Sequence, residues 1–528
     1  MKKIRILLLC AVLVLCAILL CSCGKEQQTT AVTTTTNNGQ SSGDQSTTTN
    51  KWADVDFGTS IRLQLSEYSD SEFDSGAKKY MQGPDGPSSD KVQNLVYMRN
   101  SDACGELGLT VEYYYINMGW SLAAGEIILT EQGDSKPDMY CDMIYDMMKV
   151  TLQGCFRNLY TMTTADANND GVQDGYFDIS EDNGYLTNFM NGLTFSSDKK
   201  YLIGSQYYLD LIRAMMVMPL NIDMYDSKCD DIDQFYQDVI DGKWTWDYLM
   251  KASEQVYNDK TGNGNSMDDT LGFAAETLGG KAASGIVYST DLEIVKVEEK
   301  TGLYTFTYNP NNSVLYTLYN KIAQVFASDG VSVASPLGST QDQVAEIRDA
   351  FAAGQLLFGG CIMMGAVEAE TYQEMEQQFG LVPIPKLDEK YNYNTLIHNV
   401  GRCGAISLST TKPQAISAYI QYCSENSADV VNEYYNYAMK YKYTSDAGTA
   451  EMLDQIYNNV VSSREKSLDD LISATNADAK LYNWHSMLIS DNRDYKSNAD
   501  QIATVYETAI RIKQTVIGKL LNDWKKLS

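Results

Sequence analysis

The apolar residues of this chain change their period several times, and each change marks an element. Ile6 to Leu20 is a continuous aliphatic run, and Gln27 to Asn50 is almost free of apolar side chains. Ser60 to Glu67, SIRLQLSE, alternates apolar and polar positions as a strand with one buried face does. A loop, YSDSEFDSG, follows. DKVQNLVYMRNSDACGELGLTVEYYYI then reads as a helix running through Gly108 into a strand of β-branched and aromatic residues. Strand, helix and strand in that order predict a parallel βαβ unit. Leu122 to Gln132 repeats the helical period, and KPDMYCDMIYDMMKVTLQGCFRNLYTM supplies a further strand, loop and helix. Farther on, Thr245 suits a helix N-cap, and Trp246, Leu249, Met250, Ser253, Val256 and Tyr257 share one helical face, which places Trp246 in a core. Ala499 to Trp524 has helical spacing again. It is expected to dock on the second of two lobes, over residues 209–399 with 463–528, rather than to lie on a membrane.

The first fifty residues give the cellular setting. Lys2, Lys3 and Arg5 precede the aliphatic run, the order of an export signal. A run of about fifteen residues is short for a spanning helix, which needs about twenty. Leu20-Cys21-Ser22-Cys23-Gly24 resembles a bacterial lipobox. That resemblance implies cleavage after residue 22, diacylation of Cys23, and attachment at the extracellular face of the cytoplasmic membrane. The Thr-, Ser-, Asn- and Gln-rich stretch that follows cannot offset its ordering entropy and reads as a flexible linker over residues 23–51, reaching about 25 to 30 Å.

The remaining residues, near 480 in number, exceed one core and suffice for two lobes. Removal of residues 1–22 leaves 38 basic against 69 acidic side chains, a net charge of −31, which repels nucleic acid. Seven cysteines follow Cys23, none at CxxC spacing, and read as buried free thiols. The chain holds two histidines, with no HExxH, GxSxG or Walker-type loop, so neither zinc hydrolysis nor a serine triad is supported. The expectation is a binding protein, not an enzyme.

DGKWTWDYL, NDKTGNGNSMDDTLGF, FAAGQLLF, FGLVPIPKLDE and EYYNYAMKYKYTSDAGTAEMLDQIY, in that order, resemble the extracellular solute-binding proteins of ABC importers, family 1, the group that includes maltose-binding protein. The resemblance runs from about Ser60 to the C-terminus. It implies an α/β, two-lobed, periplasmic-binding-protein-like fold of type II with an interlobe cleft. Lobe one would hold residues 52–208 with 400–462, and lobe two residues 209–399 with 463–528. Crossovers are expected near Tyr201 to Ile212, near Leu396 to Cys403 and near Ser462 to Asp470. The implied ligand is an oligosaccharide and the implied partners are ABC permease subunits, with the binding protein acting as a monomer. A peptide or polyamine on the same fold, and a surface polysaccharide-binding lipoprotein without transport, are the competing readings.

Carbohydrates present hydroxyl edges and apolar ring faces, so carboxylates, amides and flat aromatics are the candidates. Similarity to the family's cleft loop singles out Asp142, Tyr145 and Asp146, with helix capping by the aspartates and packing of Tyr145 as the competing roles. The same matching singles out Gln206 with Tyr207, and Trp484 in LYNWHSML as a stacking ring. Trp120, Glu276 and Arg402 complete the set; for the last two, helix-end or interlobe electrostatics is the alternative. DANNDGVQD sets Asp166, Asn168, Asp170 and Asp174 at EF-hand positions one, three, five and nine, but Phe177 at position twelve cannot give the bidentate carboxylate. DKTGNGNSMDD offers a similar set around Asp259. No cofactor is expected beyond a structural calcium in such a loop.

Overall fold

The computed structural model describes residues 51–460 and 518–527, apart from 70–72, 120, 167–168, 278–280, 291–294, 299–302, 307–312, 336–338, 436–438 and 440–447. The signal segment, Cys23, the linker, Trp120, Asn168 and Trp484 therefore lie outside the described residues. No helix among the described residues is long and apolar enough to cross a membrane.

Two sheets divide the body. The strands of the first are β1 (Thr59–Ser66), β2 (Leu109–Ile116), β3 (Met139–Met143) and β4 (Leu202–Ile203). The chain then forms β5 (Met216–Asn221), β6 (Leu271–Ala275), a small hairpin of β7 (Val295–Glu298) and β8 (Leu303–Phe306), then β9 (Val331–Val333), β10 (Leu356–Phe358), β11 (Ile362–Met363) and β12 (Phe379–Val382). It returns to the first sheet as β13 (Arg402–Ile406), giving the order β2-β1-β3-β13-β4 there and β11-β5-β10-β6-β9 in the second, with β12 also on β5.

The βαβ unit forms as its sequence predicts. β1 and β2 pair in parallel from Thr59↔Leu109 to Ser66↔Ile116. Between them helix Lys91–Leu107 starts at Asp90, whose side chain accepts from the Gln93 amide, and buries Val92, Val96, Ala103 and Leu107. It stops at Gly108, whose φ of 60° is a left-handed cap conformation that side chains with a Cβ resist. In the second sheet, helix Trp246–Val256 is capped by Thr245 and buries Trp246, Leu249, Ala252, Ser253 and Val256. Gly272 of β6 lets it approach: a Cβ there would lie 2.1 Å from the Ser253 Cα. Trp244 is also fully buried, with its indole donating to the Pro383 carbonyl at 2.8 Å. All seven body cysteines are free thiols, five of them buried.

Two crossing segments run side by side between the sheets. The Met216 amide donates to the Leu396 carbonyl, and the His398 amide to the Ala214 carbonyl, both at 2.8 Å, around an antiparallel bridge of Met215 with Ile397. A third segment joins them where the Thr395 amide donates to Asn459. These paired strands are the connection between lobes.

The carboxyl-terminal helix corrects one expectation. Residues 518–525 pack on the first lobe, not the second: Trp524 stands edge-on to Phe195 at 5.1 Å and Tyr201 at 5.5 Å, and its indole donates to the Ser196 hydroxyl at 3.2 Å. The physical reason is the aromatic recess formed by residues 195–201, which matches the indole in both shape and polarity.

Candidate functional site

Ligands of open α/β sheets bind beyond the carboxyl ends of the strands. At the first sheet that edge carries Ser66 of β1, Asp142 of β3, and Asp146 in the first turn of helix Ile144–Thr151. Both aspartates are fully buried. Asp142 Oδ1 accepts from the Met143 amide at 2.7 Å, and Asp146 Oδ1 accepts from the Ala124 amide at 3.2 Å. The second oxygen of each, Oδ2, has no hydrogen-bond partner of good geometry among the described residues, although the Ser66 hydroxyl, itself without one, stands close enough to Asp142 to lower its pKa as a donor.

These carboxyls pull a surrounding frame together. Asp146 thereby closes the amino end of the preceding helix, Ala123–Gln132, which follows Ser121 at a φ of 63°. The capping role anticipated for it thus falls on the helix before it rather than the one it begins. Tyr145 is buried as well, and its amide reaches the Asn399 carbonyl at 3.2 Å, which pins the returning crossover against β3.

Electrostatics follow from the burial. Burial pushes the Asp142 carboxyl up to about 7, and the charge of Asp146 pushes the same way, against the Met143 amide, the Arg402 guanidinium and the Ser66 hydroxyl. Burial raises Asp146 to about 6, opposed by the Ala124 and Ser121 amides and Lys149. In the unfolded chain an aspartate titrates near 4. Between those values the folded protein binds more protons than the unfolded one, so stability falls as pH rises from about 4 to about 7. Asp142→Asn is expected to flatten that fall and to raise stability at pH 7, by an amount on the order of 3 kcal/mol for a buried carboxyl. Urea unfolding of both chains at pH 5 and pH 7.5 measures it; an unchanged slope would contradict the assignment.

Arg402, first in β13, is 1% exposed and faces the same edge. It donates to the Val400 carbonyl at 3.2 Å and to the Tyr68 carbonyl, and its Nε lies 3.6 Å from Asp210 Oδ2. Asp210 accepts from the Gly76 amide at 2.9 Å and from Arg213 Nη1 at 2.6 Å. A Cβ on Gly76 would sit 2.3 Å from Asp210 Oδ1, so only glycine leaves that carboxylate room. Arg213 Nε reaches Glu368 Oε1 at 2.8 Å, its Nη1 reaches the Asp74 carbonyl at 2.8 Å, and its guanidinium lies 4.8 Å over Phe73. Tyr434 donates to the same Glu368 oxygen at 2.7 Å. Glu368, on the helical turn Met364–Glu368 after β11, thereby joins the second lobe to Tyr434 and the 73–80 loop of the first. Arg213 holds its carboxyl below the usual range against the opposing effect of burial. Sequence reasoning missed Asp210, Arg213, Glu368 and Tyr434; an arginine inside the apolar run LIRAMMV was the available signal.

Glu276 lies one residue past β6, at the carboxyl edge of the second sheet, and is 2% exposed. Its Oε1 accepts from the Lys281 and Ala282 amides at 2.5 and 3.3 Å, so it caps helix Lys281–Tyr288, the helix-end role weighed for it. With Lys281, Arg348, Cys361 and Tyr372 it also lines a cavity of about 20 Å³, room for one water.

Gln206 and Tyr207 stand elsewhere. The Gln206 amide donates to the Tyr457 hydroxyl at 3.0 Å. Tyr207 is fully buried, edge-on to Tyr208 and Tyr419 and 4.7 Å from the Arg99 guanidinium, so it is a core ring and not the cleft residue anticipated from the family pattern. In the first Asx-rich loop, Asp166 spends its oxygens on the Asp170 and Gly171 amides, and Asp170 accepts from Val172. Asp259 likewise takes the Gly262 and Gly264 amides. No cluster of three or more acidic, His or Cys side chains suited to a metal occurs among the described residues, Asp174 included.

No known family's sequence profile matches this chain, and no curated protein matches it. Solved structures do. A cyclo/maltodextrin-binding protein complexed with maltotetraose superposes with a TM-score of 0.52 at 14% identity, covering 86% of this chain and 97% of the other. The maltose-binding periplasmic protein MalE of Listeria monocytogenes, in complex with maltose, gives 0.52 at 14% identity over 88% and 98%. At such identity the likeness fixes the fold: the chain has the two-lobed α/β architecture of these binding proteins.

Proposed function

We propose that this chain captures a carbohydrate between its two lobes and hands it to an ABC permease, catalysing no reaction itself. The observation that carries this reading is the pair of buried carboxyl groups, Asp142 and Asp146, each with an oxygen left unpartnered at the carboxyl edge of the first sheet. An unmet buried acceptor costs about 1 to 3 kcal/mol, so a folded chain that keeps two of them at one sheet edge sacrifices stability at this place. Adjacent hydroxyls of a sugar are donors suited to both oxygens. The likeness to structures holding maltotetraose and maltose supports the same ligand class.

In this reading, Asp142 and Asp146 accept ligand hydroxyls, and Arg402 fixes the floor beneath them through Val400, Tyr68 and Asp210. The Arg213–Glu368 pair sets how the second lobe meets the first. Glu276 and Tyr372 stand at the opposing edge. Lipid attachment at Cys23, a monomeric state and a position on the extracellular face of the cytoplasmic membrane belong to the proposal. Titration calorimetry against maltose-, xylose- and mannose-type oligosaccharides tests it, with peptides and polyamines as controls. Saturable binding of a glycan without its cleavage is expected. Tight binding of a peptide or polyamine alone would overturn the carbohydrate reading, and cleavage of the glycan would overturn the non-enzymatic one.

A further inference from the structure

The two carboxyl groups that carry the proposed function are unbalanced in charge as well as in hydrogen bonds. The acids of the neighbouring network have cations beside them: buried Asp210 has Arg213 at 2.6 Å and Arg402 at 3.6 Å, and half-buried Glu368 has Arg213 at 2.8 Å. Asp142 and Asp146 have none within ion-pair distance among the described residues. The Arg402 guanidinium pulls on Asp142 from a distance: its Nη1 and Nη2 donate to the Val400 and Tyr68 carbonyls, and its Nε, without a hydrogen-bond partner, lies 3.6 Å from Asp210 Oδ2. Lys149, one helical turn beyond Asp146, acts on it only from a distance. The backbone amides of Met143 and Ala124 meet one oxygen of each group and bring no full charge.

A neutral sugar hydroxyl would supply a donor to an unpartnered oxygen and leave without a cation the negative charge that the pair carries once pH passes about 6 to 7. Burying carboxylates without counter-charge is far costlier than burying an unmet acceptor. A protonated primary amine corrects both deficits at once, because it offers three N–H donors and one positive charge on a compact centre. The chain's formal net charge of −28 would also draw such a ligand toward the protein.

We infer that the ligand is a glycan bearing a free amine, seated with its ammonium group between Asp142 and Asp146. This rests on the carbohydrate reading above and narrows it to amino sugars whose nitrogen is not acylated.

Calorimetry of the full chain with four probes separates the possibilities: a glucosamine tetramer, the N-acetylglucosamine tetramer of equal length, maltotetraose, and spermidine. The glucosamine tetramer is expected to bind at least about tenfold more tightly than either neutral tetramer. Asp142→Asn and Asp146→Asn should each erase that preference, and because both replacements are isosteric, an unfolding midpoint that does not fall, and for Asp142→Asn rises, identifies a loss due to charge. The preference of the unaltered chain is itself decisive should a variant not fold. Equal affinity for the amine and acetylated tetramers would overturn the inference and leave the carbohydrate reading standing. Binding of spermidine with no glycan bound, or of none of the four, would overturn both.

Discussion

Replacing Arg213 by Met is expected to lower unfolding stability by about 3 to 5 kcal/mol, the cost of breaking a buried ion pair from one side. Arg213 is 2% exposed and partners two carboxylates, Asp210 at 2.6 Å and Glu368 at 2.8 Å, besides the Asp74 carbonyl. Met fills similar volume against Phe73 and Tyr80, so the loss falls on charge rather than packing. Asp210 and Glu368 would then face each other's surroundings without a cation between them, although Asp210 retains Arg402 at 3.6 Å and Glu368 retains the Tyr434 hydroxyl. The effect should therefore be recovered in part by adding Glu368→Gln to the Met variant, since that removes the orphaned charge. Urea denaturation followed by tryptophan fluorescence measures both chains. A loss below about 1 kcal/mol, typical of exposed pairs, would show that the network is not buried as described.

Trp524→Ala should have an effect of similar size, about 3 to 5 kcal/mol, through the cavity left by a large buried ring. Trp524 is 1% exposed, with Phe195 and Tyr201 edge-on to it, and its indole bonds to Ser196. Leu520 and Leu527 flank it on the same docking face, and the Leu527 carbonyl accepts from Lys199. Loss of the indole should release the terminal helix from the first lobe before the body unfolds, so limited proteolysis near residue 518 ought to accelerate alongside the drop in melting temperature. An unchanged melting temperature would place this helix off the first lobe.

These two sites also show where sequence reasoning stops. The parallel β1–helix–β2 unit was legible because Asp90, the spacing Val92, Val96, Ala103, Leu107, and Gly108 are local signals that agree with one another. Helix Trp246–Val256 was legible for the same reason, and Trp246 is the core residue its helical face predicts. Ile397 of the crossing bridge lies in the segment Leu396 to Cys403, while its partner Met215 lies beyond the segment Tyr201 to Ile212 expected to cross first. Arg213 and Glu368, by contrast, are 155 positions apart, and nothing local to either specifies the other. The recess for Trp524 is likewise built from a segment 328 positions earlier. Periodicity identifies which face of an element is buried but not against which neighbour, which is why the terminal helix was assigned to the wrong lobe.

The candidate site was legible in chemistry more than in detail. Asp142, Asp146 and Arg402 do converge at one sheet edge, yet Asp146 closes the helix before its own by accepting from the Ala124 amide, 22 positions away. Tyr207 matched a family position while its environment had become aromatic core, because Tyr208, Tyr419 and Arg99 surround the ring. Matching by residue type cannot register such a change of surroundings.

The most direct test of the central claim is a crystal structure of the protein with whichever oligosaccharide calorimetry shows to bind. The glycan is expected between the lobes, with polar groups within hydrogen-bond distance of Asp142 Oδ2 and Asp146 Oδ2. A glycan bound elsewhere, with both oxygens still unpartnered, would contradict it.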